Sequence, residues 1–265
     1  MNAPIFKELI TSTVMNLTKN LLSKFQSVTL ADLEKVSLLN RIDSKYVFHV
    51  NDLAGVLEEL KENYNVLEIS GKRIHRYETQ YFDTDNYDLY KQHHNGIPNR
   101  MKVRFRHYVD TNQIFFEVKY KEKGIRTNKV RLIRNTIPQN LDQEELKMIV
   151  AKHIDSGSLK PKLGVFFDRI TLTRKDFSER ATLDIGLTYE QNEEKFVYDD
   201  IVIAEIKQNK TSYNSPIVKA LKSRHMVETG FSKYSMGIAA TQQIKSNRFK
   251  PNFIKIEKLR NGQHD

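Results

Sequence analysis

The sequence predicts an α+β protein: a sheet of alternating strands, cationic on one face, with amphipathic helices packed on it and at both ends of the chain. Three observations predict this. Strand-like runs between about residues 41 and 207 place Lys and Arg on one parity and apolar side chains on the other. Apolar residues near both termini recur at helical spacing. No repeat and no Pro/Ser-rich linker divides the 265 residues, so one domain with helical ends is the simplest division.

Taken in order, residues 1–27 carry Ile5, Phe6, Leu9, Ile10, Val14, Leu17, Leu21, Leu22 and Phe25 at helical spacing. The polar face of this segment is not strongly basic, which points to packing on protein and not on a membrane surface. A short helix is expected after Thr29, with Asp32 and Glu34 early. In the strand that follows, Lys45 is in phase with Arg41 and Asp43 and out of phase with Tyr46 and Phe48. Asn51 reads as the N-cap of a helix running through Leu57 and Leu60 to about Tyr64. His93 and His94, in a Gly-containing loop, read as turn or rim residues.

The next strands carry the charge. Arg100, Lys102, Arg104 and Arg106 alternate with Met101, Val103, Phe105 and His107. Phe115, Glu117, Lys119 and Lys121 alternate with Ile114, Phe116, Val118 and Tyr120. Lys121, Lys123 and Arg126 around Gly124 suggest a solvated hairpin loop, after which Lys129 and Arg131 alternate with Val130 and Leu132. Residues 139–155 read as a helix with acids early. Arg180, Thr182 and Asp184 alternate with Ala181, Leu183 and Ile185, and Glu205 and Lys207 with Ala204 and Ile206. Ser215 and Pro216 mark a helix start, and Phe231 to Arg248 reads as a last helix.

The formal charge is +10, and +8 of it falls between Arg100 and Arg134, where eleven Lys/Arg face three Asp/Glu. An anionic partner is the expectation. The chain has no Cys, which excludes a thiolate metal site and a Cys nucleophile. No run reaches the roughly 18 apolar residues of a membrane span, and Lys7, Glu8 and Lys19 break any signal-peptide layout. A cytoplasmic protein is expected. No Ser-His-Asp or HExxH arrangement is present.

One strand with a charged face is ordinary, because an antiparallel sheet can solvate one side. Six such strands, nearly all cationic, are not. If helices cover the apolar face, the cations point into a closed sheet, where they repel unless a polyanion or counter-carboxylates compensate. Nucleic acid is disfavoured as the anion, since Phe105, Phe116 and Tyr120 lie on the face opposite Arg104 and Lys119. Single-strand binders set rings and cations on one surface, and no helix gathers the charge as a groove reader would. A compact phosphate chain fits better.

The motifs RIDSKYVF (Arg41–Phe48), QYFDT (Gln80–Thr84), RMKVRFRHY (Arg100–Tyr108), FFEVKYK (Phe115–Lys121), KVR (Lys129–Arg131), FDR (Phe167–Arg169), RATLDIG (Arg180–Gly186), EIK (Glu205–Lys207) and FSKYSMG (Phe231–Gly237), with Tyr90 to Gly96 between them, occur in this order. Over about residues 35–240 this pattern resembles the VTC domain, the polyphosphate polymerase catalytic domain of the CYTH or triphosphate tunnel metalloenzyme superfamily. The resemblance implies a closed antiparallel β-barrel of about eight strands with a charged interior and flanking helices. It divides the chain into an N-terminal helical segment (1–34), the tunnel domain (35–240) and a C-terminal helical tail (241–265).

The resemblance also implies that Lys45, Arg104, Arg106, Lys119, Lys129, Arg131, Arg169, Arg180 and Lys233 hold a triphosphate or polyphosphate chain. Ser232 would contact phosphate, Lys207 would join the substrate-binding set, and Glu205 would coordinate Mn²⁺ or Mg²⁺. Glu117 and Asp184 share the inner parity, and orienting the neighbouring Lys and Arg is their expected part. There are two departures. Phe167 stands where the polymerases often show Tyr, and Arg41-x-Asp43-x-Lys45 replaces the Glu-x-Glu-x-Lys of the cyclases and triphosphatases. The second favours the polymer-handling branch. The leading expectation is therefore a phosphotransferase moving the ATP γ-phosphate to a polyphosphate chain, with export of product left to a separate membrane protein. The alternatives are a tunnel triphosphatase acting on inorganic or nucleoside triphosphate, and a non-catalytic regulatory domain binding polyphosphate or inositol polyphosphate.

Overall fold

A computed structural model describes residues 3–35, 42–121, 127–149, 156–208 and 214–262. The first half runs α1 (Ala3–Ser23), β1 (Gln26–Val28), α2 (Leu30–Lys35), β2 (Ile42–His49), α3 (Leu53–Leu60), β3 (Tyr64–Leu67), β4 (His75–Asp83) and α4 (Asp88–His94). Then come β5 (Arg100–Tyr108), β6 (Gln113–Lys121), β7 (Thr127–Arg134), α5 (Gln143–Lys147), β8 (Lys160–Arg174) and β9 (Glu179–Gln191). The chain ends with β10 (Glu194–Tyr198), β11 (Ile201–Gln208), α6 (Pro216–Lys222), α7 (Lys233–Thr241) and α8 (Lys250–Arg260).

Eight strands form one path, β2-β11-β9-β8-β4-β5-β6-β7, and every pairing along it is antiparallel. The strand number agrees with the expectation, but closure does not follow. A barrel needs its first and last strands to pair, and among the described residues β2 and β7 do not. Part of the concave space is filled by a helix instead, as the cores show.

The convex face is apolar where helices cover it. Phe48, Ile170, Leu172, Leu183, Ala204 and Ile206 pack with Leu22 of α1, Leu57 of α3 and Leu221 of α6. Farther along the sheet, Val103, Phe105, Phe116 and Val118 pack with Leu89 of α4. The concave face is most apolar where α7 sits: Val47, Tyr81, Leu163, Val165, Phe167 and Ile203 surround Tyr234 and Ile238. Both terminal segments dock on these cores, through Leu21 and Leu22 at one end and Ile256 at the other.

α7 comes close to the sheet because residue 237 is glycine. A Cβ there would lie 2.7 Å from Tyr189 Cδ1 and would also strike Leu163. Gly237→Ala is therefore expected to cost about 1–3 kcal/mol through overpacking, read as a lowered urea midpoint. Asp83 fixes the same helix from β4. Its buried carboxylate accepts from the Thr84, Leu89 and Tyr90 amides and from the Tyr234 hydroxyl.

Several helix boundaries differ from the sequence reading. α1 stops at Ser23, because Gln26–Val28 pairs as a parallel strand with β3. Asn51 is not the N-cap of α3: its backbone N–H bonds the His49 imidazole within a 3₁₀ turn, and Asp52 precedes the helix. α3 ends at Leu60, and Tyr64 opens a strand whose ring is fully buried. The helix expected over 139–155 contracts to Gln143–Lys147 behind an Asp142/Glu145 capping box, and 150–155 lie outside the described residues. His93 and His94 belong to α4, not to a loop. The helix over Phe231–Arg248 is only Lys233–Thr241. Ser215 does cap α6, accepting from Val218 N with Pro216 behind it. Arg41 and the loop residues Lys123, Gly124 and Arg126 lie outside the described residues.

Candidate functional site

Residues that alternate along registered strands meet in rows. β5 and β6 set Arg100 opposite Lys121, Lys102 opposite Lys119, Arg104 opposite Glu117 and Arg106 opposite Phe115. β7 adds Lys129 opposite Lys119 and Arg131 opposite Glu117. On the facing wall, Glu205 of β11 stands between Lys45 of β2 and Thr182 of β9, and Lys207 stands between Asp43 and Arg180. Arg169 of β8 is opposite Asp184 of β9 and His75 of β4. The helix supplies the rest: Ser232 is the N-cap of α7 and Lys233 its first residue. All twelve sequence-derived residues thus belong to the concave face or to the helix end seated against it.

Two buried carboxylates organise the interior cations. Glu117 is paired with Arg104, whose Nε and Nη2 lie 2.8 and 2.6 Å from Oε2, and with Lys129. Asp184 takes a bidentate grip from Arg169, at 2.6 and 2.8 Å, and accepts from Lys233 Nζ. Burial alone would push both carboxyls up. The surrounding cations win, and hold each at about 2. Lys233 is drawn down to about 8, chiefly by burial and against the pull of Asp184.

Aromatic rings underlie these charges. Phe167 lies 4.6 Å below Lys233 Nζ and 5.2 Å below the Arg169 guanidinium, and it stacks on Tyr77 at 5.3 Å. Tyr77 in turn lies 4.8 Å from Arg169. The separation of rings from cations read on β5 and β6 therefore fails on β4 and β8. Phe167 is fully buried, so its face steadies the cations and offers no stacking surface to a base.

The charged layer separates two cavities along the strands. The first, about 480 Å³, is lined by Lys45, Lys102, Lys119, Glu205 and Ser232 among others. The second, about 730 Å³, is lined by Arg131, Arg180, Lys207 and Tyr77 among others. Lys45 Nζ is tethered to the Phe231 carbonyl at 2.8 Å, and Arg180 Nη2 to the Leu33 carbonyl at 2.7 Å. Arg106 reaches Thr79 Oγ1 at 3.3 Å, and Arg131 lies 4.9 Å from the Phe115 ring. Lys207 bonds Glu205 and comes within 3.6 Å of Asp43.

Glu205 stays ionised. Burial raises its carboxyl, but Lys45, Lys207 and Arg169 carry it well below the usual range. Lys119 is solvent-exposed within the cavity, yet the walls desolvate its ammonium and, with Arg104, Lys45 and Lys207, bring it down to about 8 against Glu205. Lys102 was absent from the sequence-derived site. Its Nζ donates to Ser232 Oγ at 2.9 Å, and burial and then Lys45, Lys119 and Arg104 push it well below the ordinary lysine value. Its parity with Arg104 and Arg106 was the available signal.

Comparison with known proteins gives a family and a similar fold. A family model described as VTC domain matches residues 40–242. No curated protein matches the chain. Among solved structures, the candidate adenylyl cyclase HpAC1 from Hippeastrum, described as having a dominant triphosphatase activity, is 12% identical with a TM-score of 0.51. The match covers 76% of this chain and 97% of that one. A candidate adenylate cyclase from Bacillus halodurans is 14% identical with a TM-score of 0.45, covering 73% of this chain and 96% of its own. Because the family model spans most of its length, the chain belongs to the VTC domain family.

Proposed function

We propose that the concave face binds the triphosphate of ATP and transfers its γ-phosphoryl group to a polyphosphate chain, as a polyphosphate polymerase-like enzyme built on residues 35–240. The observation that carries this reading is the convergence of Arg104, Arg106, Lys119, Arg169 and Lys233, with Lys45, Lys129, Arg131, Arg180, Lys207 and Ser232 beside them, on one face between two cavities. Phosphoryl transfer asks for positioning and charge neutralisation more than for covalent chemistry. Arg104 and Arg169, locked by Glu117 and Asp184, give fixed forks for phosphate oxygens. Lys119 is a point charge on a flexible stem, suited to a chain that slides.

Glu205 fits a divalent cation. Among the described residues there is no cluster of three or more His, Asp or Glu to hold a resident metal. Mg²⁺ and Mn²⁺ in phosphate sites commonly take one or two carboxylates together with substrate oxygens. A single ionised carboxylate on a cationic wall meets that description, and the ion would stabilise charge on the phosphoryl oxygens.

Incubation with ATP and Mn²⁺ or Mg²⁺ tests the reading: long polyphosphate is expected. Orthophosphate alone would mean the triphosphatase reading, and tight binding without turnover the regulatory one. Affinity for the phosphate chain should fall as pH rises through about 8, because Lys119 and Lys233 lose their protons there. A titration between pH 6 and 10 checks it. No helix among the described residues is long and apolar enough to cross a membrane.

A further inference from the structure

The outer end of the first cavity holds charges that the proposed reaction does not use. His93, Arg100, Lys121 and Arg248 line it beside Lys102. They come from four separate elements: α4, the facing ends of β5 and β6, and the turn before α8. We propose that this cluster is a second phosphoryl subsite, which takes an additional phosphate unit of a linear inorganic chain longer than the triphosphate gripped by the interior. The inference rests on the tunnel reading above and extends it to chain-length selectivity.

The first argument is crowding of like charge. Arg104, Lys129, Arg169 and Lys233 share Glu117 or Asp184, whereas the charges that act most on Arg100 and His93 are cationic, with Asp43, Glu205 and Glu228 elsewhere on the lining of the same cavity. Arg248 acts on Arg100, and Lys102, Arg100, Lys121 and Arg248 all act on His93. Burial and these four cations hold the imidazole down to about 2, so His93 is neutral and able to donate one hydrogen bond. A bound phosphate would relieve the repulsion that the fold otherwise carries.

The second argument is that the arginines are placed. Arg248 Nη1 donates to the His94 carbonyl at 3.1 Å, and its backbone N–H faces His94 Nε2 at 3.4 Å. Gly96, at φ +71°, leaves the guanidinium its room, since a Cβ there would collide with Nη1. Arg100 Nη1 is anchored on the Ile97 carbonyl at 2.8 Å, while its Nε is buried with no hydrogen-bond partner among the described residues. A buried, unpaired guanidinium N–H beside a second arginine calls for an acceptor.

The experiment is calorimetric titration of the full chain, without metal, with inorganic tripolyphosphate and with longer linear polyphosphate. The longer chain is expected to bind about tenfold more tightly per chain than tripolyphosphate. Arg248→Ala and, separately, Lys121→Ala, both at exposed positions, should remove most of that difference and leave tripolyphosphate affinity within about twofold. If the advantage survives in both variants, or the wild type shows none, the subsite is wrong while the tunnel reading stands. If tripolyphosphate does not bind the wild type at all, the tunnel reading fails and the subsite with it.

Discussion

Asp184→Asn is expected to destabilise the protein by about 3–5 kcal/mol, the usual cost of removing one partner from a buried ion pair. The carboxylate is about 1% exposed, and its loss would leave Arg169 and Lys233 facing each other above Phe167. The effect has a defined pH dependence. The folded carboxyl sits at about 2, below its ordinary 3.8. Its stabilisation is therefore complete above about pH 4 and is lost as pH falls toward 2, roughly 2 kcal/mol in all. Urea unfolding at pH 7 and pH 3 should show a wide gap between wild type and variant that narrows in acid. Equal stability at pH 7 would mean that the Asp184 pair contributes nothing.

Glu205→Gln should have the largest effect on turnover. If the carboxylate holds the ion that neutralises the phosphoryl oxygens, several kcal/mol of transition-state stabilisation disappears, and metal-supported turnover of ATP falls by about 10²–10³. Metal-free binding should move the other way. Without its negative charge the wall shared by Lys45 and Lys207 becomes more cationic, so tripolyphosphate binds more tightly. Unchanged turnover would sink the metal assignment. A parallel loss of metal-free affinity would point to a folding defect instead.

Much of the site was legible because strand parity is a local property. Lys45, Arg104, Lys119 and Glu205 could be assigned to one face from their own neighbours, and the ladders keep that assignment. The same rule held for Glu117 and Asp184, whose arginine partners lie opposite them on adjacent strands. What did not extend to β4 and β8 was the separation of rings from cations, since Phe167 and Tyr77 share the charged face. On β4 and β8 that face passes from charge to the apolar patch under α7, and one strand cannot show what will cover it. Lys102 was seen but not chosen: the hydroxyl it meets, that of Ser232, comes from an element far away in the chain.

Helix ends were legible where a side chain caps its own segment, as Ser215 does for α6. They were lost where a distant strand competes, as β3 does for Gln26–Val28. The amino-acid sequence by itself determined which residues share a face, and hence that the excess of positive charge is gathered on one surface. The tertiary structure alone decided that this surface is concave, that α7 occupies part of it without β2 and β7 pairing, and which cations receive a carboxylate. The physical reason is range. Parity is set by the backbone geometry of adjacent residues, whereas curvature and charge pairing are set by contacts between segments brought together only on folding.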